Sequence, residues 1–424
     1  MNSGEPAVEV STKGKPRYAF VLPWSAEQAG GVNEVVRNLM RECRRDGRYE
    51  PLLVENCWDA GGLVEDRALG YDRVRLRIRS PWDERRPLRA LALWIVLLPL
   101  ALVQGCNLVR RYRVDVLNAH FPDLYVLTFI LLKRLRLFEG RIILSVHGSD
   151  IRGASRLSGW PRWLWTRLLG RADFVVACSG DLGDEVREFF PSCGERLRVI
   201  HNGADIDLFH AEADRAFSLP PELAGRRFIV NIGKFIFWKG HDVLLNAFSI
   251  VKRTDHDLML VIIGAHGDEF VRTQALVAHL GLAGSVVLLR NVPHCRIPSF
   301  LYNAQALVLS SRWKRGLYGE GFPVALLEAA AAAVPVAATA SCGVRELVQD
   351  GQTGRVVPCE DVAALAGAVG DLLRNPQKGK RLGENLRQKV RCSFTWAGAF
   401  RQYAVLTGTT FPESAEMDEK LLYG

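Results

Sequence analysis

Short apolar runs recur along the chain, each closed by a glycine, a histidine, a charged residue or a turn former. A run of four to eight such residues between turn signals reads as a buried strand. The first is 18–23, YAFVLP, which leads into Gly30-Gly31-Val32 and a helical pattern to about Arg45. Further strands are predicted at 51–55, 114–120, 141–146, 174–178 and 197–200. Helical stretches lie between most of them, at 88–112, 124–135 and 160–169. After a softer stretch, 207–226, containing Pro220-Pro221, the alternation restarts. Strands are predicted at 228–232, 258–263, 286–289, 306–309 and 334–338, with an edge element at 351–357 and a last helix at 396–406. Strand and helix in regular alternation predict parallel sheets built from βαβ units. The fold class expected is α/β, two Rossmann-like parallel-sheet domains facing across a cleft. The first would span 17–210 and the second 211–395. Residues 1–16 read as a disordered tail, and a helix at about 396–424 is expected to pack back on the first domain. Ligands bind at the carboxyl ends of such strands, where the glycine-rich and charged loops of this chain fall.

One loop stands out among them. Gly319-Glu320-Gly321-Phe322-Pro323-Val324 leads into an apolar, alanine-rich run, with Glu320 and Glu328 eight positions apart. Proline is tolerated at a helix start because its missing N–H would have no partner there, so the helix should begin near Pro323. The free N–H groups and the dipole of that start make an anion site. One carboxylate before it and one behind suit a phosphate with a sugar on either side. The plainer alternative is a loop-to-helix turn with two solvated glutamates.

Charge narrows the partners. The chain has 55 basic and 46 acidic residues, a formal net charge of +9. Between Arg73 and Arg171 there are 19 Lys/Arg against 6 Asp/Glu. Such a face favours an anionic membrane, a pyrophosphate carrier or nucleic acid, although solubilising charge would look the same. Nucleic acid is not expected, since no basic-aromatic recognition motif accompanies it. The nine cysteines include no C-x-x-C pair, which reads as reduced thiols in a cytosolic protein. Residues 1–15 are polar and do not read as a signal peptide. Residues 88–106 are apolar after Arg89, but the uninterrupted run, 90–103, is 14 residues. A bilayer span needs about 20, so this is a buried core helix or a membrane-surface helix with arginine flanks.

With these pieces in order, the chain resembles the family-4 type of retaining glycosyltransferase, whose two-domain architecture is called GT-B. The likeness is carried by the E-x7-E stretch GEGFPVALLEA and by GKFIFWKG at 233–240, HGSD at 147–150, IHNGADIDLF at 200–209, SCGVRELV at 341–348 and DGQTGRVVP at 350–358. It covers about 17–400.

The resemblance implies a nucleotide sugar, UDP- or GDP-linked, as donor substrate, with no tightly bound cofactor and no metal requirement. Glu328 would accept hydrogen bonds from the ribose hydroxyls. Glu320 would hold donor-sugar hydroxyls, with backbone N–H groups of Gly321, Phe322 and Val324 around Pro323 also in reach. Lys234 and Lys239 would meet the diphosphate; the family usually has arginine at the first, so Lys234 departs from its pattern. His147 would stand against the donor sugar in the transition state, and His147, Lys239 and Glu320 form the catalytic set. Gly30 and Gly31 would let backbone approach the phosphate or the acceptor. Asn291 and Val292 would meet the base, beside Arg290 where glycine is usual. His120 and Asp150 are placed, less firmly, on the acceptor side. Asp150 could instead orient His147, and His120 could serve packing. Asp205-Ile206-Asp207 is a D-x-D, read as structural here, and Glu346 as a local support.

The function implied is retaining transfer of a sugar to an acceptor hydroxyl, in cell-surface polysaccharide, lipopolysaccharide or glycolipid assembly. The acceptor would be a sugar, a glycan or a lipid-linked molecule. The enzyme would be cytoplasmic, with possible peripheral contact to the inner face of an anionic membrane through 73–171. The alternatives are a nucleotide-sugar epimerase of similar fold and a non-catalytic nucleotide-sugar- or membrane-binding relative.

Overall fold

The computed structural model of the chain describes residues 15–28, 30–57, 64–209, 219–265 and 267–408. Most of the expected tail, the expected helix beyond 408 and residues 210–218 of the softer stretch lie outside the described residues.

The apolar runs assemble into two sheets. The first holds β1 (Arg17–Leu22), β2 (Glu50–Asn56), β3 (Val64–Ala68), β4 (Tyr71–Leu76), β5 (Val114–His120), β6 (Arg141–Val146), β7 (Phe174–Ala177) and β8 (Leu197–Val199), in the order β3-β4-β2-β1-β5-β6-β7-β8. The second holds β9 (Phe228–Ile232), β10 (Met259–Gly264), β11 (Val286–Arg290), β12 (Leu307–Leu309), β13 (Val336–Thr339) and β14 (Arg355–Val357), in the order β11-β10-β9-β12-β13-β14. Every pair of neighbours is parallel except β3 and β4. Central strands such as β1 and β10 are buried on both faces. Parallel sheets covered by helices require that, and it explains why their sequences are continuous apolar runs.

The β3–β4 hairpin is absent from the sequence reading. Its residues mix charge with small apolar side chains, and Leu69 and Gly70 turn it with φ of 55° and 78°. In register, Asp66 lies opposite Arg73. Arg73 is only 6% exposed and bonds Asp66 at 2.6 Å and Glu27 at 2.9 Å. Arg75 bonds the buried Glu55 at 3.1 Å. Part of the basic excess between 73 and 171 is therefore spent inside the fold.

The last described helix, Trp396–Val405, leaves the second sheet and lies on the first. Trp396, Phe400 and Tyr403 pack with Val35 and Leu39 of the Gly31–Asp46 helix. Tyr403 Oη is 3.0 Å from Ser145 Oγ on β6.

The two halves meet closely where the Gly319–Val324 loop crosses the end of β6. A Cβ on Gly321 would stand 2.2 Å from the carbonyl oxygen of His147 and 2.7 Å from Cys178 Sγ. Only glycine fits there. Gly30, by contrast, has extended backbone at φ 171° and open space around its Cα. Gly321→Ala should therefore cost about 1–3 kcal/mol through overpacking strain and lower the melting temperature, while Gly30→Ala leaves it unchanged. Thermal denaturation of the two variants checks the contrast, and equal melting temperatures would contradict it.

Candidate active site

The helix after the Glu320 loop runs Val324–Ala331, with Pro323 as its extended N-cap at φ −72° and ψ 113°. Its first N–H groups have no partner within the helix. The start of the Gly31–Asp46 helix lies against it, where a Cβ on Gly31 would make van der Waals contact with Val324 Cγ2 at 3.7 Å. Two helix N-termini thus come together, each with a glutamate one turn in. These are Glu34 on the first domain and Glu328 on the second.

The anchors of the Glu320 loop come from both halves. Glu320 accepts from Ser311 Oγ at 2.9 Å and pairs with Lys239 through the same carboxylate oxygen. Lys239 closes a short turn, Phe237–Lys239. Two glycines make room for it. A Cβ on Gly233 would press on Lys239 Cδ at 2.9 Å, and one on Gly240, at φ 64°, would sit 2.1 Å from the Ser310 carbonyl. Lys234 is exposed beside them. From the opposite half, Arg152 donates through Nη1 to the carbonyls of Gly319 at 2.7 Å and Glu320 at 3.0 Å. Its other nitrogens bond Glu185 at 2.8 and 3.1 Å, with both side chains fully buried. Trp313 Nε1 donates to the same Glu185 at 3.0 Å.

Glu328 is buried and accepts from His294 Nε2 at 2.6 Å. Burial raises its pKa, and the hydrogen bond and charge of His294 offset part of that. His294 Nδ1 lies 3.4 Å from Glu34 Oε2. Burial alone would lower the His294 pKa, yet Glu328 and Glu34 together carry it up to about 9.

His147 ends β6 at the cleft, its Nε2 3.2 Å from His120 Nδ1. Burial lowers its pKa to about 4, so the ring is neutral at pH 7. His120 lies beneath it, fully buried between His147 and Phe20, and is also held neutral by burial and by its neighbour. That burial favours packing over lining an acceptor as the use of His120. Asp150 turns inward. Its carboxylate accepts from the backbone N–H groups of His147 at 3.0 Å, Gly148 at 2.7 Å and Ile151 at 2.9 Å. These bonds favour orienting the His147 backbone over the acceptor-side placement, although burial raises the Asp150 pKa to about 6.

Asn291 is exposed at φ 53°, a left-handed conformation asparagine tolerates, and Arg290 lies over the Phe270 ring at 4.6 Å. Of the D-x-D pair, Asp205 is buried and bonds Arg41 at 2.5 Å, while Asp207 is exposed. Glu346 does more than support its own domain. It accepts from the backbone of Gly180 at 3.0 Å and from His201 Nε2 at 2.5 Å, both in the first half.

Sequence reasoning missed Arg152, Glu185, Glu34 and His294. A buried arginine carries no mark that separates it from a surface one. Glu34 and His294 did leave a signal: each follows a predicted ligand-binding loop, three residues after Gly31 and two after Val292.

Comparison with known proteins decides the class. Residues 215–389 match the family model for glycosyl transferases group 1, and 29–208 match the model for glycosyltransferase family 4. The chain is 31% identical over 266 residues to the GDP-mannose-dependent alpha-(1-6)-phosphatidylinositol monomannoside mannosyltransferase of Mycolicibacterium smegmatis, covering 60% of this chain and 67% of that protein. The chain belongs to the family-4 glycosyltransferases. This glycosyltransferase is also 27% identical over 306 residues to the glycogen synthase of Mycobacterium tuberculosis, 68% of this chain and 67% of that one. Its fold is GT-B. It superposes on sucrose-phosphate synthase from Thermosynechococcus elongatus with a TM-score of 0.72 at 20% identity, over 92% of this chain and 98% of that one. The Anabaena protein Alr3699/HepE, solved with UDP and glucose, gives 0.69 at 17% identity, over 93% and 100%.

Arg152 carries the load between the glycosyltransferase's domains, and its loss leaves Glu185 buried without its cation. Arg152→Ala should cost about 3–5 kcal/mol, read by chemical denaturation. Arg152→Met with Glu185→Leu should recover part of that. A double variant as unstable as the single one would contradict the charge argument.

Proposed function

We propose that this glycosyltransferase moves a sugar from a UDP- or GDP-sugar to an acceptor hydroxyl with retention of configuration. The observation that carries the reading is the meeting of Lys239, Glu320, Glu328 and two helix N-termini within one interdomain cleft. The diphosphate would lie beside the two helix starts, with its charge met by Lys234, Lys239 and the Val324 helix start. Cationic groups and dipoles fixed before reaction stabilise a leaving group without reorganising. Glu328 would take the ribose and Glu320 the donor sugar. Neither serves as nucleophile: the leaving diphosphate helps take the acceptor proton as the new bond forms on the same face. His147, neutral and turned by Nε2 to His120, has Nδ1 left for a donor-sugar hydroxyl. Asn291 and Val292 would flank the base.

The acceptor we infer is lipid-linked, in assembly of a glycolipid or cell-surface polysaccharide, with the enzyme cytoplasmic and peripheral on the membrane. A mycobacterial relative named for phosphatidylinositol monomannoside supports a glycolipid. So does the helix Pro87–Arg111, the one helix among the described residues long and apolar enough to cross a membrane. Its Ala101, Gly105, Leu108 and Val109 are buried in the first domain. A Cβ on Gly105 would meet Leu132 at 2.7 Å, so the helix is clamped to its neighbour. The opposite stripe, Leu88, Ile95, Val96, Leu100 and Val103, is exposed, Leu88 by 75% and Val96 by 72%. A helix clamped along one side suits lying on a bilayer, with Arg85, Arg86 and Arg89 exposed at one end and Arg110 at the other.

Two measurements test these parts separately. Lys239→Ala should lower kcat/KM for the donor by about 10²–10³, with product anomer unchanged by NMR; an inverted product would overturn retention. In flotation with vesicles containing anionic lipid at low salt, the protein should rise with them. Val96→Glu with Leu100→Glu should abolish that while sparing donor turnover. A protein that stays down, or a variant that floats as well, would remove the membrane contact.

A further inference from the structure

His294 stands between the two glutamates that face each other across the cleft. Its Nε2 is 2.6 Å from Glu328 on the second domain and its Nδ1 3.4 Å from Glu34 on the first. The edge of the ring meets Phe209 at 5.8 Å. One side chain therefore ties both domains together at the carboxylate assigned above to the ribose. Nothing in that assignment requires a histidine there, and a cis-diol that takes both oxygens of Glu328 must share Oε1 with His294 or displace it.

We propose that His294 is an internal competitor for the ribose site: it clasps Glu328 and Glu34, and yields Glu328 when the nucleotide enters. This rests on Glu328 being the ribose carboxylate. His294 is a positioning residue. It sets how much of the donor's binding is spent on breaking an existing bond, and so tunes donor affinity without touching the reacting atoms.

The charges around it decide the pH behaviour. Glu328 faces it from the Val324–Ala331 helix, and Glu34 from the Gly31–Asp46 helix. Arg37, bonded to Glu34 at 2.6 Å, opposes its charge. Asp205 reaches Glu328 from the segment after β8 but is itself held by Arg41. The two glutamates prevail, and the imidazolium is retained up to about pH 9. The folded pKa is raised above the unfolded value. The clasp is thus fully present below the unfolded histidine pKa and fades as pH rises through 9.

The test is titration of UDP and of GDP into the full chain by calorimetry between pH 7.5 and 9.5, where a free diphosphate is already ionised. The parent should bind more tightly as pH rises across this window. His294→Ala should bind on the order of tenfold more tightly than the parent at pH 7.5, the scale of one hydrogen bond to a charged group, and lose the pH dependence. Glu34→Gln, which removes only the outer anchor, should give a smaller gain. A His294→Ala chain that keeps its cooperative melting but binds no more tightly, or a parent whose affinity falls as pH rises, would overturn the clasp. Glu328→Ala separates the two layers of argument. If it binds nucleotide as the parent does, the ribose assignment fails; if it loses binding while His294→Ala matches the parent, only the clasp fails.

Discussion

The buried pair between Arg152 and Glu185 is what the cleft depends on. Both residues belong to the first domain, yet the guanidinium reaches across and holds the carbonyls of Gly319 and Glu320 on the second. A charge taken out of water is tolerated only when it is paired and its hydrogen-bonding groups are satisfied. Glu185 supplies the countercharge, and the two carbonyls take the remaining donor capacity of Nη1. The loop that bears Glu320 is therefore fixed by electrostatics that would fail if the domains separated. The contact of Gly321 with the His147 carbonyl adds a steric reason for the same registry. These two constraints set how far His147 stands from the Val324 helix start, which is the width of the site.

Much of this was legible in the sequence, because parallel strands buried on both faces are the easiest elements to read. The strands from 114 to 120, 141 to 146 and 228 to 232 fall where continuous apolar runs place them. The glycine loop, HGSD, the two lysines and the E-x7-E stretch come together at carboxyl ends of strands. What escaped notice depends on pairing across the fold. The β3–β4 hairpin hides its arginines in cross-strand bonds to Asp66 and Glu55, so a locally polar segment becomes an edge of the sheet. Arg152 reads as one more cation in a basic region until the fold brings Glu185 beside it. Asp150 reads as a free carboxylate until three backbone N–H groups close on it.

The same accounting changes the meaning of the positive charge. Nineteen cations between 73 and 171 suggest one basic face. Arg73, Arg75, Lys133 and Arg152 are instead paired with carboxylates of the fold itself, buried Glu55 and Glu185 among them. The exposed arginines flanking the Pro87–Arg111 helix stand beside apolar surface, as do Arg134 and Arg136 beside Leu135 and Arg167 over Trp163. Net charge over a hundred residues overstates the field a partner would feel; charge that keeps company with exposed apolar area does not.

Few of the charges around the cleft are without a partner side chain. Glu320 has Lys239 and Ser311, Glu328 has His294, Glu34 has Arg37, and Glu346 has His201. A nucleotide sugar entering such a site meets carboxylates that already have partners, so it must share or displace those bonds and does not simply add new ones. Exchange makes the net gain per contact small and the cost of deleting one partner large, because the other is left buried and unpaired. Substitution at Lys239 or Glu328 will therefore report two effects at once: a lost contact to the ligand and a freed charge in the empty protein. Paired variants, one at each end of a bond, measure how much of each single-variant effect belongs to the bond between the two side chains.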